Sequence, residues 1–306
     1  MSNRPAAPIA LDYSVADVFT DTALAGNPVA VVTDSIGLPT ERMQAIAREF
    51  NLSETTFVQR RPAVIEQAEG VRVRIFTTQE ELSFAGHPTL GTASVLKVNA
   101  PETAQGDTVT LALNVGPVPV RFQDQARNSA ALFGEMTQRD PEFCAELDPA
   151  TVARLVGLDQ QDLDPNLPPQ IVSTGTAFAI VPLRSADALS RLDVKQREAT
   201  EWLRAQGARW FFVLGPTGEK GPAFRARMQF NGGEDPATGS AAGCAIGYLV
   251  ARGAVASGER VLLRQGVEIR RTSDLFLSAK MSAAKVCDVR VAGSTILVAK
   301  GQLFLP

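Results

Sequence analysis

The sequence predicts an α+β protein made of two similar halves, each with a mostly antiparallel sheet around one buried helix. Three observations lead to this expectation. Short apolar runs typical of strands outnumber the helical segments, and the connections between them are short. Two segments half the chain length apart carry the same pattern of residues. In each of them a glycine opens a stretch that is small or apolar on every side, which is typical of a buried helix.

The first half is expected to contain short strands and one amphipathic helix. In residues 39–50 the helical period places Met43, Ile46 and Phe50 on one stripe, and Thr40 is the candidate N-cap. The polar segment 123–128 is the candidate linker between the halves. The predicted strands are residues 11–18, 28–32, 55–59, 71–76, 108–113 and 118–122.

The pattern then restarts. Residues 149–156 and 187–206 have helical character. The predicted strands are residues 178–182, 210–214, 223–228, 261–264, 275–278, 286–291 and 295–300. A chain of 306 residues is long enough for two domains, which we expect at 1–125 and 126–294. So many strands with so few helices favour a strand-rich α+β fold over a doubly wound parallel sheet.

The internal repeat appears when the sequence is shifted by 153 residues, so that VRVRIFTTQEELSFAGHPTLGTASVL lies over FRARMQFNGGEDPATGSAAGCAIGYL. Both segments run from an alternating strand through a glutamate and a short turn to a glycine that opens a helix. We interpret them as copies that arose by duplication. The strand arginines are expected to be structural, and the glutamates to fix the turns. The coinciding pairs are Arg72 with Arg225, Arg74 with Arg227, Glu81 with Glu234, Gly86 with Gly239 and Leu96 with Leu249.

Composition excludes several classes of function. Basic residues number 30 and acidic residues 33, so no strong positive field exists to bind nucleic acid. The longest uncharged small or apolar run, residues 237–251, is too short to span a membrane. Three isolated cysteines and one histidine make a metal site improbable and suggest reduced thiols. Because the N-terminal residues also have no apolar core of a secretory signal, we expect a cytoplasmic protein.

The two predicted helix starts suggest an anion site. Buried helices leave their first N–H groups without water, so another group must satisfy them. If the starts at Gly86 and Gly239 face each other between the halves, they form a partly positive pocket suited to a carboxylate. The alternative is that His87, Thr238 and Ser240 are merely caps over tightly packed helices.

Three titratable residues near these starts have two readings each. Glu54 follows the amphipathic helix and enters a strand, where a carboxylate is usually exposed. Asp235 precedes the second buried helix and either satisfies N–H groups there or acts as a general acid or base. His87 is either a neutral core histidine or part of a site.

Four segments, DVFTDTALAGNPVAVV, EFNLSETTFV, FAGHPTLGTA and GEDPATGSAAG, together resemble the PhzF family of phenazine-biosynthesis isomerases. The resemblance runs from Asp17 to the C-terminus. It implies the diaminopimelate epimerase-like fold, with two like domains, each a barrel-like sheet around a central helix, and the active site in the cleft between them. It also implies a homodimer and a final strand, within 295–306, that returns to the first domain.

The resemblance also implies a functional role for individual residues of this chain. The resemblance implies that Glu54 of LSETTFV shuttles a proton and that His87 of AGHP and Asp235 of EDPATGS complete the catalytic site. Ser240, Gly86 and Gly239 would bind the substrate carboxylate, with Asn27 of GNP and Thr238 also facing the cleft. The chain departs from the family pattern at Ser83, where proline is usual, and in a short loop before Glu234.

The implied chemistry is isomerisation without a cofactor or metal, similar to that of trans-2,3-dihydro-3-hydroxyanthranilate isomerase. The substrate would be a small molecule that carries a carboxylate. One alternative is an epimerase or racemase that uses Glu54 and Asp235 as opposed bases, and another is a non-catalytic protein that binds a small molecule. Related racemases use two thiols, but Ala85 and Thr238 stand at the matching positions, which disfavours that mechanism.

Overall fold

The computed structural model describes residues 9–123, 130–218, 223–230 and 232–305. Strands dominate the first half of the chain. The strands are β1 (Ile9–Val18), β2 (Asn27–Val32), β3 (Glu54–Gln59), β4 (Val71–Phe76), β5 (Glu81–Leu82), β6 (Ala104–Gln105), β7 (Thr108–Leu113), β8 (Gly116–Phe122) and β9 (Leu132–Thr137). The helices are α1 (Thr40–Phe50), α2 (Ala63–Glu69), α3 (Gly86–Asn99) and a short 3₁₀ helix (Pro101–Thr103).

The second half has the same mixture of elements. Its strands are β10 (Glu142–Glu146), β11 (Gln170–Ser173), β12 (Ala177–Pro182), β13 (Trp210–Pro216), β14 (Ala223–Arg227), β15 (Gln229–Phe230), β16 (Gly233–Glu234), β17 (Val261–Gln265), β18 (Ser273–Ser282) and β19 (Lys285–Leu305). Its helices are α4 (Pro149–Val156), α5 (Gln196–Gln206), α6 (Gly239–Ala251) and two 3₁₀ helices (Gln160–Asp162 and Ala186–Arg191).

Eight strands close into a barrel around the first half of the chain. Pairing runs from β1 through β2, β3, β4, β7, β8 and β9 to β19, which returns to β1. In the second half, the strands β11, β12, β13, β14, β17, β18 and β19 pair in the same succession of directions as β1 to β9: antiparallel, parallel, antiparallel, parallel and twice antiparallel. The two halves therefore share one topology, as the internal repeat predicts.

The long strand β19 pairs with strands of both halves. Its first part pairs with β18, its middle with β9, and its last part, from Thr295 to Leu305, with β1. The sequence predicted two separate strands here, and that prediction was wrong because Gly293 does not break the strand. A Cβ at Gly293 would lie 2.5 Å from the Phe19 ring, so this glycine makes room for an aromatic side chain from the first half.

One buried helix fills the core of each half. All residues of α3 from Gly86 to Leu96 and all residues of α6 from Gly239 to Val250 are buried, which confirms the expectation of helices that are apolar on every side. Both belong to one continuous hydrophobic cluster that spans the two halves. The α+β fold with similar halves, each wrapped around a central helix, is therefore confirmed.

Two ion pairs at equivalent positions support the repeat. Arg74 on β4 forms a two-pronged hydrogen-bonded pair with Glu81, at 2.8 and 2.5 Å. Arg227 on β14 forms the same pair with Glu234, at 2.9 and 2.5 Å. In each half the pair ties the strand to the short turn before the central helix. These arginines and glutamates thus have the structural places that the sequence suggested.

Two local expectations were wrong. Residues 187–206 are not one helix, because the backbone N–H groups of Asp193 and Lys195 donate to carbonyls at the end of α4 and so cannot continue a helical ladder. Thr40 does not cap α1. Pro39 occupies the N-cap position, and the Thr40 hydroxyl instead accepts a hydrogen bond from Arg74 at 3.1 Å.

The expected boundary between domains is not settled by these elements. The candidate linker 123–128 lies outside the described residues except for Gln123. Strand β9 follows it and still pairs with β8 in the barrel of the first half. The division at 125/126 stays a prediction. Among the described residues, no helix has both the length and the apolarity that crossing a bilayer requires.

The two equivalent ion pairs should differ in their contribution to stability. The Arg227 and Glu234 side chains are 9% and 6% exposed, whereas those of Arg74 and Glu81 are 17% and 24% exposed. We expect Glu234→Gln to lower the free energy of unfolding by about 3 kcal/mol, because the buried Arg227 then keeps only Glu268, at 3.8 Å, as a carboxylate partner. Glu81→Gln should cost at most about 1 kcal/mol, since water solvates the freed Arg74. Urea unfolding of the two variants measures the difference, and equal losses would contradict the prediction.

Candidate active site

The starts of the two central helices touch each other. A Cβ built on Gly86 would lie 2.6 Å from the carbonyl carbon of Gly239 and 2.6 Å from the backbone nitrogen of Ser240. A Cβ on Gly239 would lie 3.2 Å from the Gly86 Cα. No side chain therefore separates the two backbones. The partly positive ends of two helix dipoles meet at one place between the halves, as the sequence predicted.

Asn27 links the two halves beside this contact. It begins β2 after a tight turn in which Gly26 adopts a φ of +66°, and a Cβ at Gly26 would lie 2.4 Å from the Val18 carbonyl oxygen. The fully buried Asn27 amide donates through Nδ2 to Asp235 Oδ1 at 2.7 Å and to the Ala237 carbonyl at 2.9 Å. The sequence placed Asn27 at the cleft, and the structure brings it against Asp235.

His87, the second residue of α3, lies between Asn27 and Glu54. Its Nδ1 is 3.1 Å from Asn27 Nδ2, and the ring also has a hydrogen bond to the backbone of Pro28. Nε2 faces Glu54 Oε2 at 3.5 Å, and neither of these buried atoms has a hydrogen-bond partner among the described residues. Burial lowers the pKa of His87 to about 3, so the ring is neutral.

Asp235 is held by donors from two elements. Besides Asn27 at Oδ1, the Thr238 hydroxyl donates to Oδ2 at 2.7 Å. Burial raises the pKa of Asp235 to about 6, and the hydrogen bonds from Thr238, Asn27 and Ser53 oppose that rise by favouring the charged form. The expectation that Thr238 might cap α6 was wrong, because its side chain bonds to Asp235 instead of to the helix.

Glu54, the first residue of β3, differs from Asp235 in that no hydrogen-bond donor among the described residues reaches its Oε2. Burial, with the nearby charge of Asp235, raises the pKa of Glu54 well above its usual value, and Arg209 partly offsets the effect. Two like-charged carboxylates in one buried site favour sharing a single proton. Since both Asp235 oxygens accept hydrogen bonds and Glu54 Oε2 accepts none, the hydrogen bonding favours the proton on Glu54 and the charge on Asp235.

Most of the cluster is buried, and its partly exposed member is Glu54, whose side chain is 15% exposed. His87 is 3% exposed, and Asp235 and Ser240 are each 7% exposed. Ser240 is the second residue of α6, next to the contact between the helix starts. The structure thus brings together the eight residues that the sequence analysis selected. They are Asn27, Glu54, Gly86, His87, Asp235, Thr238, Gly239 and Ser240.

Sequence reasoning missed several residues that support the cluster. Asp17, buried on β1, pairs with Arg271 at 2.7 Å, and Arg271 Nε also donates to the Gly26 carbonyl at 2.9 Å, which fixes the turn before Asn27. Gln138 donates to the Gly239 carbonyl at 2.9 Å. Asp17 lies in a quoted motif and could have been selected. Glutamine and arginine in ordinary strand and loop contexts give no such signal.

The cysteines are not placed for a two-thiol mechanism. Cys244 lies inside α6 next to Thr174, and burial raises the pKa of its thiol to about 12. Cys144 is exposed on β10. In the part of the chain that the structure describes, no group of three or more histidine, cysteine, aspartate or glutamate side chains is arranged to hold a metal ion.

Comparison with known proteins gives a consistent set of matches. The family model described as phenazine biosynthesis-like protein (PhzC-PhzF) matches residues 16–301. A trans-2,3-dihydro-3-hydroxyanthranilate isomerase of Pseudomonas fluorescens is 33% identical over 96% of this chain and 99% of the relative. An uncharacterized isomerase of Mesorhizobium japonicum is 35% identical over the same shares. The structure of a predicted epimerase from Pseudomonas aeruginosa has a TM-score of 0.81 at 34% identity, covering 96% of this chain and 99% of that one.

The two glycines at the helix contact should tolerate substitution unequally. The methyl group of Gly86→Ala would meet backbone atoms of Gly239 and Ser240, which cannot rotate away. That of Gly239→Ala would meet the Phe19 ring at 3.1 Å and the Gly86 backbone at 3.2 and 3.3 Å, distances that a shift of a few tenths of an ångström relieves. We expect Gly86→Ala to cost about 3 kcal/mol of unfolding free energy and Gly239→Ala about 1 kcal/mol. Thermal and urea unfolding measure both values, and a larger loss for Gly239→Ala would contradict this geometry.

The only histidine of the chain makes the site observable without a substrate. Selective ¹⁵N labelling of histidine should give one ring spin system, that of a neutral imidazole. Because the pKa of His87 is lowered to about 3 by burial, the ring should stay neutral from pH 5 to 8. A two-bond ¹H–¹⁵N spectrum across this range reports the tautomer. A charged ring at pH 6 would show that burial does not keep His87 neutral.

Proposed function

The chain belongs to the PhzF family and is an isomerase, and from that premise we propose that it moves a proton between two carbons of a small carboxylate-bearing substrate without a cofactor. The observation that carries the proposal is the unequal bonding of the two buried carboxylates. Asp235 is held at both oxygens, whereas Glu54 turns an unbonded oxygen toward the site. Glu54 is thus the group that is free to take and return a proton.

In this proposal, the ionised fraction of Glu54 acts first as general base and then, in the protonated form so produced, as general acid. It removes a proton from an activated C–H of the substrate and delivers a proton to a second carbon, so no proton is lost overall. Between these two steps the protonated carboxyl group of Glu54 exchanges with solvent. Its raised pKa supports this role, because a base whose pKa lies closer to the working pH can both accept and return a proton. The neutral His87 places Nε2 3.5 Å from Glu54 Oε2, where the ring orients the carboxyl group and the substrate.

The substrate carboxylate is proposed to bind at the paired helix starts. Gly86 and Gly239 bring backbone N–H groups to one place, and Ser240 adds a hydroxyl. An anchor at this point holds the reacting carbon at a fixed position relative to Glu54. Closure of the site excludes water, which strengthens each of these electrostatic contacts.

The alternatives fit the hydrogen bonding less well. An epimerase with two opposed bases would need Asp235 to accept a proton from carbon, but Asn27 and Thr238 already occupy both of its oxygens. A protein that only binds a small molecule gives no role to the unbonded Glu54 oxygen, whose burial costs free energy. The location in the cytoplasm and the homodimer stay predictions.

Exchange of deuterium from solvent tests the proposal. The wild-type protein is incubated in D₂O with trans-2,3-dihydro-3-hydroxyanthranilate and a panel of amino-acid-like carboxylates, and NMR follows the C–H signals. We expect Glu54→Gln to reduce exchange by about 10²-fold or more, while the Kd of the substrate stays near the wild-type value. The amide keeps the shape of the side chain but cannot act as a base.

A matched control is Glu66→Gln. Glu66 is also buried, but it bonds to Arg60 and to the Arg61 backbone, away from the cleft. This variant should exchange at the wild-type rate. Wild-type exchange in Glu54→Gln, or the absence of exchange with every compound despite binding, would overturn the isomerase mechanism in favour of the alternatives.

A further inference from the structure

Gln265 is a fully buried side chain that bonds only to the segment carrying Asp235. It is the last residue of β17 and belongs to none of the motifs. Its Oε1 accepts the Thr238 backbone N–H at 3.0 Å. Its Nε2 donates to the Asp235 carbonyl at 2.8 Å and to the Thr238 hydroxyl oxygen at 3.0 Å. Both ends of the amide therefore hold the start of α6.

This network fixes the direction of the hydrogen bond between Thr238 and Asp235. Rotating the Gln265 amide by half a turn would set its oxygen against the Asp235 carbonyl and its nitrogen against the Thr238 N–H, so the observed orientation is required. Since the Thr238 hydroxyl accepts from Gln265, its own proton is free only for Asp235 Oδ2, at 2.7 Å.

The other groups around Asp235 do not supply that donor. Asn27 serves the opposite oxygen, and the carboxylate of Glu54 repels the charge on Asp235. The neutral His87 adds no charge. The charge of Glu234, although paired with Arg227, raises the pKa of Asp235 and so also opposes its ionisation. Ser53 adds a further hydrogen bond. The Thr238 proton, directed by Gln265, is thus one of the few features that favour an ionised Asp235 beside Glu54.

We propose that Gln265 is a positioning residue for proton transfer: by orienting the Thr238 hydroxyl it keeps Asp235 ionised and leaves the transferable proton to Glu54. The consequence for catalysis rests on the proposed function. The protonation of Asp235 does not, and it can be measured without substrate.

The ¹⁵N signal of His87 serves as the probe, because Asn27 Nδ2 contacts both His87 Nδ1 and Asp235 Oδ1. Burial raises the pKa of Asp235 to about 6, so the His87 Nδ1 shift should show a titration near pH 6 in the wild type. Asp235→Asn should abolish it. Thr238→Val removes the donor and should raise the midpoint by about one pH unit, a tenfold change in proton affinity, whereas Thr238→Ser should retain the wild-type midpoint.

Gln265→Met keeps the length of the side chain and removes its polar atoms. We expect it to raise the midpoint by the same amount as Thr238→Val, and the double variant to show no further rise, since Gln265 acts through Thr238. Gln265→Glu gives a second test if the first variant is unstable. Its carboxylate can accept the Thr238 N–H but, when ionised, cannot donate to the hydroxyl, so the midpoint should rise further.

Gln138→Met is the matched control. Gln138 is a second buried glutamine at the start of α6, bonded to the Gly239 carbonyl and to Thr174 but not to Asp235 or Thr238. It should lose stability without moving the titration. An unchanged midpoint in the Gln265 variants, or shifts that add in the double variant, would overturn the proposal. Failure to find a substrate would leave this result intact and count only against the proposed function.

Discussion

Every feature of the site depends on the direct contact between the starts of two buried helices. The backbones at Gly86 and Gly239 approach so closely that neither position leaves ordinary room for a side chain. The contact sets the distance between the halves and therefore the reach of each polar side chain across the cleft. Asn27 can donate to Asp235, and His87 can lie against both Asn27 and Glu54, only at that separation.

Burial of the contact forces the polar groups to satisfy one another. Among the side chains of the cluster, the donors are unevenly divided: Asp235 receives hydrogen bonds at both oxygens, and Glu54 Oε2 receives none. Burial disfavours charge on both carboxylates, but only Asp235 has the donors to offset it. Two chemically similar groups thus acquire different protonation, which is the usual way in which an active site separates a proton carrier from a fixed charge.

The sequence predicted the features that have a local or repeated signature. Alternating apolar residues located most strands, the all-apolar stretches located α3 and α6, and the shift by 153 residues located the paired glycines. It failed where distant contacts decide the outcome. The helix predicted over 187–206 is divided because Asp193 and Lys195 donate to α4, and Gly293 continues β19 because Phe19 packs on it. Gln265 escaped notice because a glutamine at the end of a strand has no pattern of its own.

The two halves share the same scaffold after the duplication, but the site residues that they contribute differ. The Arg74–Glu81 and Arg227–Glu234 pairs, and the two helix-opening glycines, coincide under the shift. The residues of the proposed reaction do not coincide under the shift. Under the same shift, Asp235 falls on Leu82 and His87 on Ser240, while the strand equivalent to β3 opens with Trp210 where β3 opens with Glu54. A two-base mechanism would be served by like groups on both sides of the cleft. One proton carrier on one side and a hydrogen-bonded carboxylate on the other favour a proton that leaves and returns by way of the same glutamate.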